Sequence, residues 1–100
     1  MDRDRIIEVL RGLMPMLRER YAVAELGIFG SVARGTADEG SDVDLFLSFV
    51  PGTRYTLMTL AGMKCDIEEA LDIEVDLVVN HARLGDKFRT FVEKDLIRVA

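Results

Sequence analysis

Apolar residues first recur at helical spacing. Ile6, Ile7, Leu10, Leu13, Met14 and Leu17 fall on one face, with Arg3, Glu8, Arg11, Arg18 and Glu19 on the other. The pattern predicts a helix from about Asp2 to Arg20. Pro15 removes an interior hydrogen bond, so a kink or restart is expected near Gly12 to Met14. Leu26, Ile28 and Phe29 mark a first strand, from about Val23 to Phe29, ended by Gly30. Ser31 to Arg34 reads as one helical turn and Gly35 to Gly40 as a polar loop. Asp42 to Ser48 alternates polar and apolar as a second strand, closed by Pro51-Gly52. Thr53 is the candidate N-cap of a helix carrying Leu57, Leu60, Ala61, Lys64, Ile67 and Leu71. Ile73 to Val79 is a third strand. Leu84, Phe88, Phe91 and Val92 set out a last helix, and Ile97 to Val99 a short edge strand. The order predicts an α/β (α+β) fold, a small mixed sheet with helices packed on it, forming one domain over residues 1–100.

Two features of this pattern carry chemistry. A strand rises about 3.3 Å per residue, so Asp42 and Asp44 point to one face roughly 6.6 Å apart, while Val43, Leu45 and Leu47 turn toward the core. Aspartate is disfavoured in strands, and two on one side repel unless a cation or water relieves them. Alone, an Asp-x-Asp pair also describes a solvated strand end. Upstream stands Gly30-Ser31, where glycine lets backbone approach an anion and permits positive φ. Ser31 could then offer its hydroxyl and N–H to a phosphate. The same pair alone also describes a strand-ending turn with a helix cap.

The third strand adds a further acid. Asp76 lies within Ile73-Glu74-Val75-Asp76-Leu77-Val78-Val79, dense enough in apolar residues that its carboxylate is expected to be buried and in need of a partner. If this strand neighbours the second, three carboxylates converge, a ligand set for Mg²⁺. Asp72 and Glu74 share the parity of Asp76 and are the alternatives should the register differ. Arg34 could bond a phosphate, brace an aspartate, or stand solvated. Asp38 and Glu39 read as loop acids, and His81 as exposed rather than catalytic. Cys65 reads as a small core residue, as do Met14, Met16, Met58 and Met63.

Composition narrows the choice. A net charge of −5 does not suit a protein that grips nucleic acid through its phosphates, so no direct nucleic-acid binding is expected. One cysteine and one histidine cannot assemble the usual zinc ligands. The lone cysteine permits no internal disulfide, and no apolar run has the length of a membrane span. A cytoplasmic setting is the expectation.

Phe29-Gly30-Ser31-Val32-Ala33-Arg34-Gly35, followed by Ser41-Asp42-Val43-Asp44-Leu45, resembles the signature of the DNA polymerase β-like nucleotidyltransferases. It is most similar to their minimal prokaryotic branch, the MNT-type antitoxins. The resemblance implies that Gly30 and Ser31, with Arg34, hold a nucleoside triphosphate. It implies that Asp42 and Asp44 bind two Mg²⁺ ions and that Asp76 completes the set, assisting deprotonation of the attacking hydroxyl. ATP would be the substrate, pyrophosphate the leaving group. With no length for an acceptor-gripping domain, the acceptor would be presented by another protein. The resemblance implies a HEPN-domain ribonuclease toxin, neutralised by AMP transfer to one of its tyrosines within a hetero-oligomer. Two alternatives stay open: an antitoxin acting by contact alone, and a stand-alone nucleotidyltransferase for a small molecule or RNA.

Overall fold

Asp2 caps the first helix: its carboxylate accepts from the N–H groups of Asp4 and Arg5 at 3.0 and 3.3 Å. In the computed structural model, which describes residues 2–100, that helix, α1, runs from Arg3 to Tyr21. It passes through Pro15 without the expected restart. Pro15 and Arg11 are both exposed, so the carbonyl deprived of its partner lies on the solvent side, where water can take it. Ala22, at φ 62°, ends the helix and turns the chain into β1 (Val23–Phe29).

The remaining elements are α2 (Gly30–Arg34), β2 (Val43–Phe49), α3 (Leu57–Leu71), β3 (Val75–Val79), α4 (Asp86–Asp95) and β4 (Ile97–Arg98). The sheet order is β3-β2-β1-β4. β1 runs antiparallel to both β2 and β4, whereas β2 and β3 are parallel, joined by α3 as crossover. The mixed sheet with packed helices is the architecture expected from the pattern.

Most boundaries fall within a residue of expectation, and two differ by more. The cap of α3 is Thr56 rather than Thr53, because Thr56 and Thr59 bond reciprocally in a capping box while residues 53–55 run irregularly after the Pro51-Gly52 turn. β3 starts at Val75 because Asp72, at φ 57°, ends α3 and residues 73–74 complete the reversal.

Alternation along the strands gives the sheet two different faces. Leu26, Ile28, Val43, Leu45, Leu47 and Val75 form one, buried against Ile6, Leu10, Met14 and Leu17 of α1 and Met63 and Ile67 of α3. The opposite face has a smaller core of Phe29, Phe46 and Val92, where the two rings meet edge to face at 6.3 Å. Only α4 crosses this second face, so much of it is left open. Met14 and Met63 are core residues as expected, but Met58 is 81% exposed. Cys65 is exposed rather than buried, since it points off the side of α3 away from Met63 and Ile67.

Candidate active site

The open face ends where β1 gives way to α2. Phe29 pairs with Asp44 across the antiparallel ladder, and Gly30 follows at φ +74°. A Cβ built on Gly30 would run into Oδ2 of Asp44. A side chain here would be strained by the conformation and would push the carboxylate of Asp44 aside. The first turn of α2 has no side-chain cap, which leaves its leading N–H groups available to a ligand. Arg3 donates to the carbonyl of Ala33 at 2.8 Å and fixes this turn to α1.

Residues 35–42 return the chain to β2. Gly35, at φ +78°, closes α2, and Thr36 N–H donates to the carbonyl of Ser31 at 3.0 Å. Asp38 accepts from Gly40 N–H and Ser41 Oγ at 2.9 and 3.2 Å, so it is spent within the loop, as expected of a loop acid.

Asp42 then stands just before β2, with Asp44 two residues on along the same face. The parallel register places Asp76 of β3 directly opposite Asp44. The three acids thus share one corner of the sheet, beside Gly30. Burial raises the pKa of the half-buried Asp44 carboxyl, and the charges of Asp76 and then Asp42 push it further up; Arg34 opposes them.

Asp76 itself is exposed, against the expectation that its strand would bury it. β3 is the edge of the sheet, and no helix covers its open face at this end. Asp72 and Glu74 lie outside β3, both exposed, so neither replaces it. Arg34 braces none of the acids: its Nη1 donates to Oδ2 of Asp95 on α4 at 3.2 Å. His81 is exposed, and its Nδ1 accepts from Arg83 N–H at 3.1 Å. Asp95 was invisible in the sequence, because it lies 61 positions from Arg34 in a helix where an acid needs no explanation.

Among the described residues no group of three or more His, Cys, Asp or Glu side chains is placed to hold a metal ion by itself. The donor set still fits Mg²⁺, which keeps waters and is bound through one or two carboxylates together with substrate phosphates. A half-buried carboxyl crowded by two further carboxylates, as Asp44 is, is the kind of hard oxygen donor a divalent cation relieves. A cavity of about 180 Å³ on the same sheet face, lined by Glu25, Gly27, Phe46, Ser48, Asn80 and Leu96, includes none of the three acids.

A four-stranded mixed sheet with carboxylates gathered beside a glycine turn defines a nucleotidyltransferase type of domain. Residues 10–99 match the model of the nucleotidyltransferase domain family, and the chain belongs to that family. It is 37% identical over 78 residues to the protein adenylyltransferase MntA of Thermococcus cleftensis, covering 76% of this chain and 75% of the relative. A solved structure, itself provisionally described as a minimal nucleotidyltransferase, superposes with a TM-score of 0.76. It shares 34% identity and covers 97% of this chain and 95% of its own. The fold also matches one chain of a solved complex, the tri-AMPylated Shewanella oneidensis HEPN toxin with MNT antitoxin. There the TM-score is 0.57 at 18% identity, covering 98% of this chain and 68% of the other.

Proposed function

We propose that this nucleotidyltransferase is an antitoxin that transfers AMP from ATP to a tyrosine of a cognate HEPN-domain ribonuclease toxin and so neutralises it. The observation that carries the reading is the corner where the parallel register sets Asp76 opposite Asp44, with Asp42 two residues before it and Gly30 against its carboxylate. The relatives named protein adenylyltransferase, and the HEPN–MNT complex of like fold, support the choice of acceptor.

In this reading Asp42, Asp44 and Asp76 would hold two Mg²⁺ ions together with the substrate phosphates. When bound, the metal supplies charge neutralisation on the phosphates and at the attacking and leaving oxygens. Gly30 and Ser31 receive the triphosphate at the uncapped turn, and Arg34 adds a guanidinium beside it. The tyrosine oxygen forms a bond to the α-phosphorus, the bond to the bridging oxygen breaks, and pyrophosphate leaves. Asp76, exposed at the sheet edge, is reached by the incoming hydroxyl and takes its proton. Most of the chain's contribution is positioning.

The test is to incubate the protein with labelled ATP, Mg²⁺ and the product of the neighbouring gene. Label is expected on a tyrosine of that product, and none when Asp42→Asn is combined with Asp44→Asn. Absence of transfer by the wild type, or equal transfer by the double variant, would sink the proposal. Neutralisation by contact alone is the competing reading, and it draws on Leu57, Met58, Phe88 and Phe91, large apolar side chains left exposed. Under that reading the double variant still protects cells from the toxin; under catalysis it does not.

A further inference from the structure

Helix α4 has two flanks with different surroundings. Arg89 donates to Asn80 Oδ1 and the His81 carbonyl at 3.1 and 3.0 Å, while Glu93 and Leu96 line the 180 Å³ cavity. These residues follow each other at helical spacing and form one flank. Asp95 lies on the other flank, with Phe88 and Phe91, and it reaches Arg34 of α2. Val92 pins the helix between them onto Phe29 and Phe46. The helix is thus a bar fixed at its N-terminal end to the loop after β3 and at its C-terminal end to the turn beside the carboxylates.

The single polar contact at that second end is chemically specific. Asp95 uses one oxygen and engages one terminal nitrogen of Arg34, at 3.2 Å. The guanidinium carries five N–H donors in a fixed fork, so most of them stay free. The pair is part-exposed, with side chains at 43% and 26%, which makes it a weak contributor to stability. Its effect is geometric: it fixes the last side chain of α2, the turn that Gly30 opens against the carboxylate of Asp44.

We infer that Asp95 is a positioning residue for the nucleotide: it holds Arg34 at the mouth of the carboxylate corner with its remaining donors facing a triphosphate. Without Asp95 the arginine is a free, rotamer-rich side chain that must be ordered each time nucleotide binds. Ordering one such side chain costs an amount worth about twofold to tenfold in affinity. The inference rests on the proposed use of ATP, and it goes beyond that proposal by assigning α4 a part in nucleotide binding.

The experiment measures ATP affinity by calorimetry with Mg²⁺ and no acceptor protein, and the steady-state constants with acceptor present. Asp95→Asn is expected to weaken ATP binding and raise KM for ATP about fivefold, with kcat changed less than twofold. Asp95→Glu is expected to restore affinity to within about twofold. Arg34→Ala combined with Asp95→Asn should bind no worse than Arg34→Ala alone, since the aspartate acts only through the arginine. Unchanged affinity in Asp95→Asn, a fall in kcat with KM constant, or additive losses in the double variant would overturn the inference. The acceptor reading fails separately: wild-type protein that binds ATP but labels no tyrosine sinks that reading and leaves this one standing.

Discussion

Gly30 shows how much one position can decide. Its φ of +74° strains any side chain, and the carboxylate of Asp44 against it would have to move for one, whereas Gly35, at φ +78°, has nothing within reach of a Cβ. Gly35→Ala should therefore cost only the conformational term, about 1–2 kcal/mol, lowering the melting midpoint by roughly 5–15 °C. Gly30→Ala should cost at least as much and also displace Asp44, so transfer falls far more than the unfolded fraction explains. Thermal melts paired with transfer assays well below both midpoints check this; equal residual activity in the two variants would refute it. Asp44 makes the complementary case. In the metal-free protein its charge is opposed by burial and by two like charges. Asp44→Asn should raise the metal-free midpoint by about 1–5 °C, the relief of its like-charge contacts, while abolishing transfer. A residue that is costly to keep ionised and needed for activity is what a metal ligand should be. That Gly30 touches Asp44 could not be read from the chain, since only the antiparallel register opposes Phe29 and Asp44.

At the scale of elements, the attachment of β3 decides whether Asp76 reaches its neighbours. Glu68, near the end of α3, accepts the Val75 N–H at 2.9 Å and pairs with Lys64, while Val43 N–H donates to the Glu74 carbonyl at 3.0 Å. The backbone hydrogen bond, with the help of Lys64, holds the Glu68 carboxyl below its usual range. A depressed carboxyl contributes stability that is present above its unfolded value of 4.5 and lost as pH falls through the lower folded value. Glu68→Gln should thus melt below the wild type at neutral pH, with the gap closing once pH drops under about 4.5. A gap constant from pH 7 to pH 3 would contradict it. The elements themselves were largely legible, because alternation and helical spacing report which face is buried. What escaped was coverage by other elements. The pattern of Ile73 to Val79 cannot say that β3 is an edge strand, so it overstated the burial of Asp76. Likewise Pro15 signals a lost hydrogen bond but not that the orphaned carbonyl faces water. The expected cap at Thr53 misses by three residues, because it is Thr56 that forms a reciprocal box with Thr59.

For the whole molecule, the net charge of −5 acts everywhere while the carboxylate corner acts at one point, and the two must be separated. Any salt screens the general repulsion within a Debye length of about 8–10 Å, so a rise in melting temperature with MgCl₂ is not by itself evidence of a site. A bound cation stabilises the folded state by mass action, about 1.4 kcal/mol at tenfold excess over its dissociation constant, or roughly 6–11 °C for a domain of this size. At fixed ionic strength, replacing NaCl by MgCl₂ should therefore raise the midpoint of the wild type. It should leave Asp42→Asn combined with Asp44→Asn unmoved, though that variant carries less negative charge overall. The size of the shift should also fall in acid, because protons compete for the Asp44 carboxyl, whose pKa is already raised. If the double variant shifts as much as the wild type, the cation is answering the molecule's overall charge. The corner of Asp42, Asp44 and Asp76 would then be a patch of surface acids on a nucleotidyltransferase fold, and the contact reading of the antitoxin would become the stronger one.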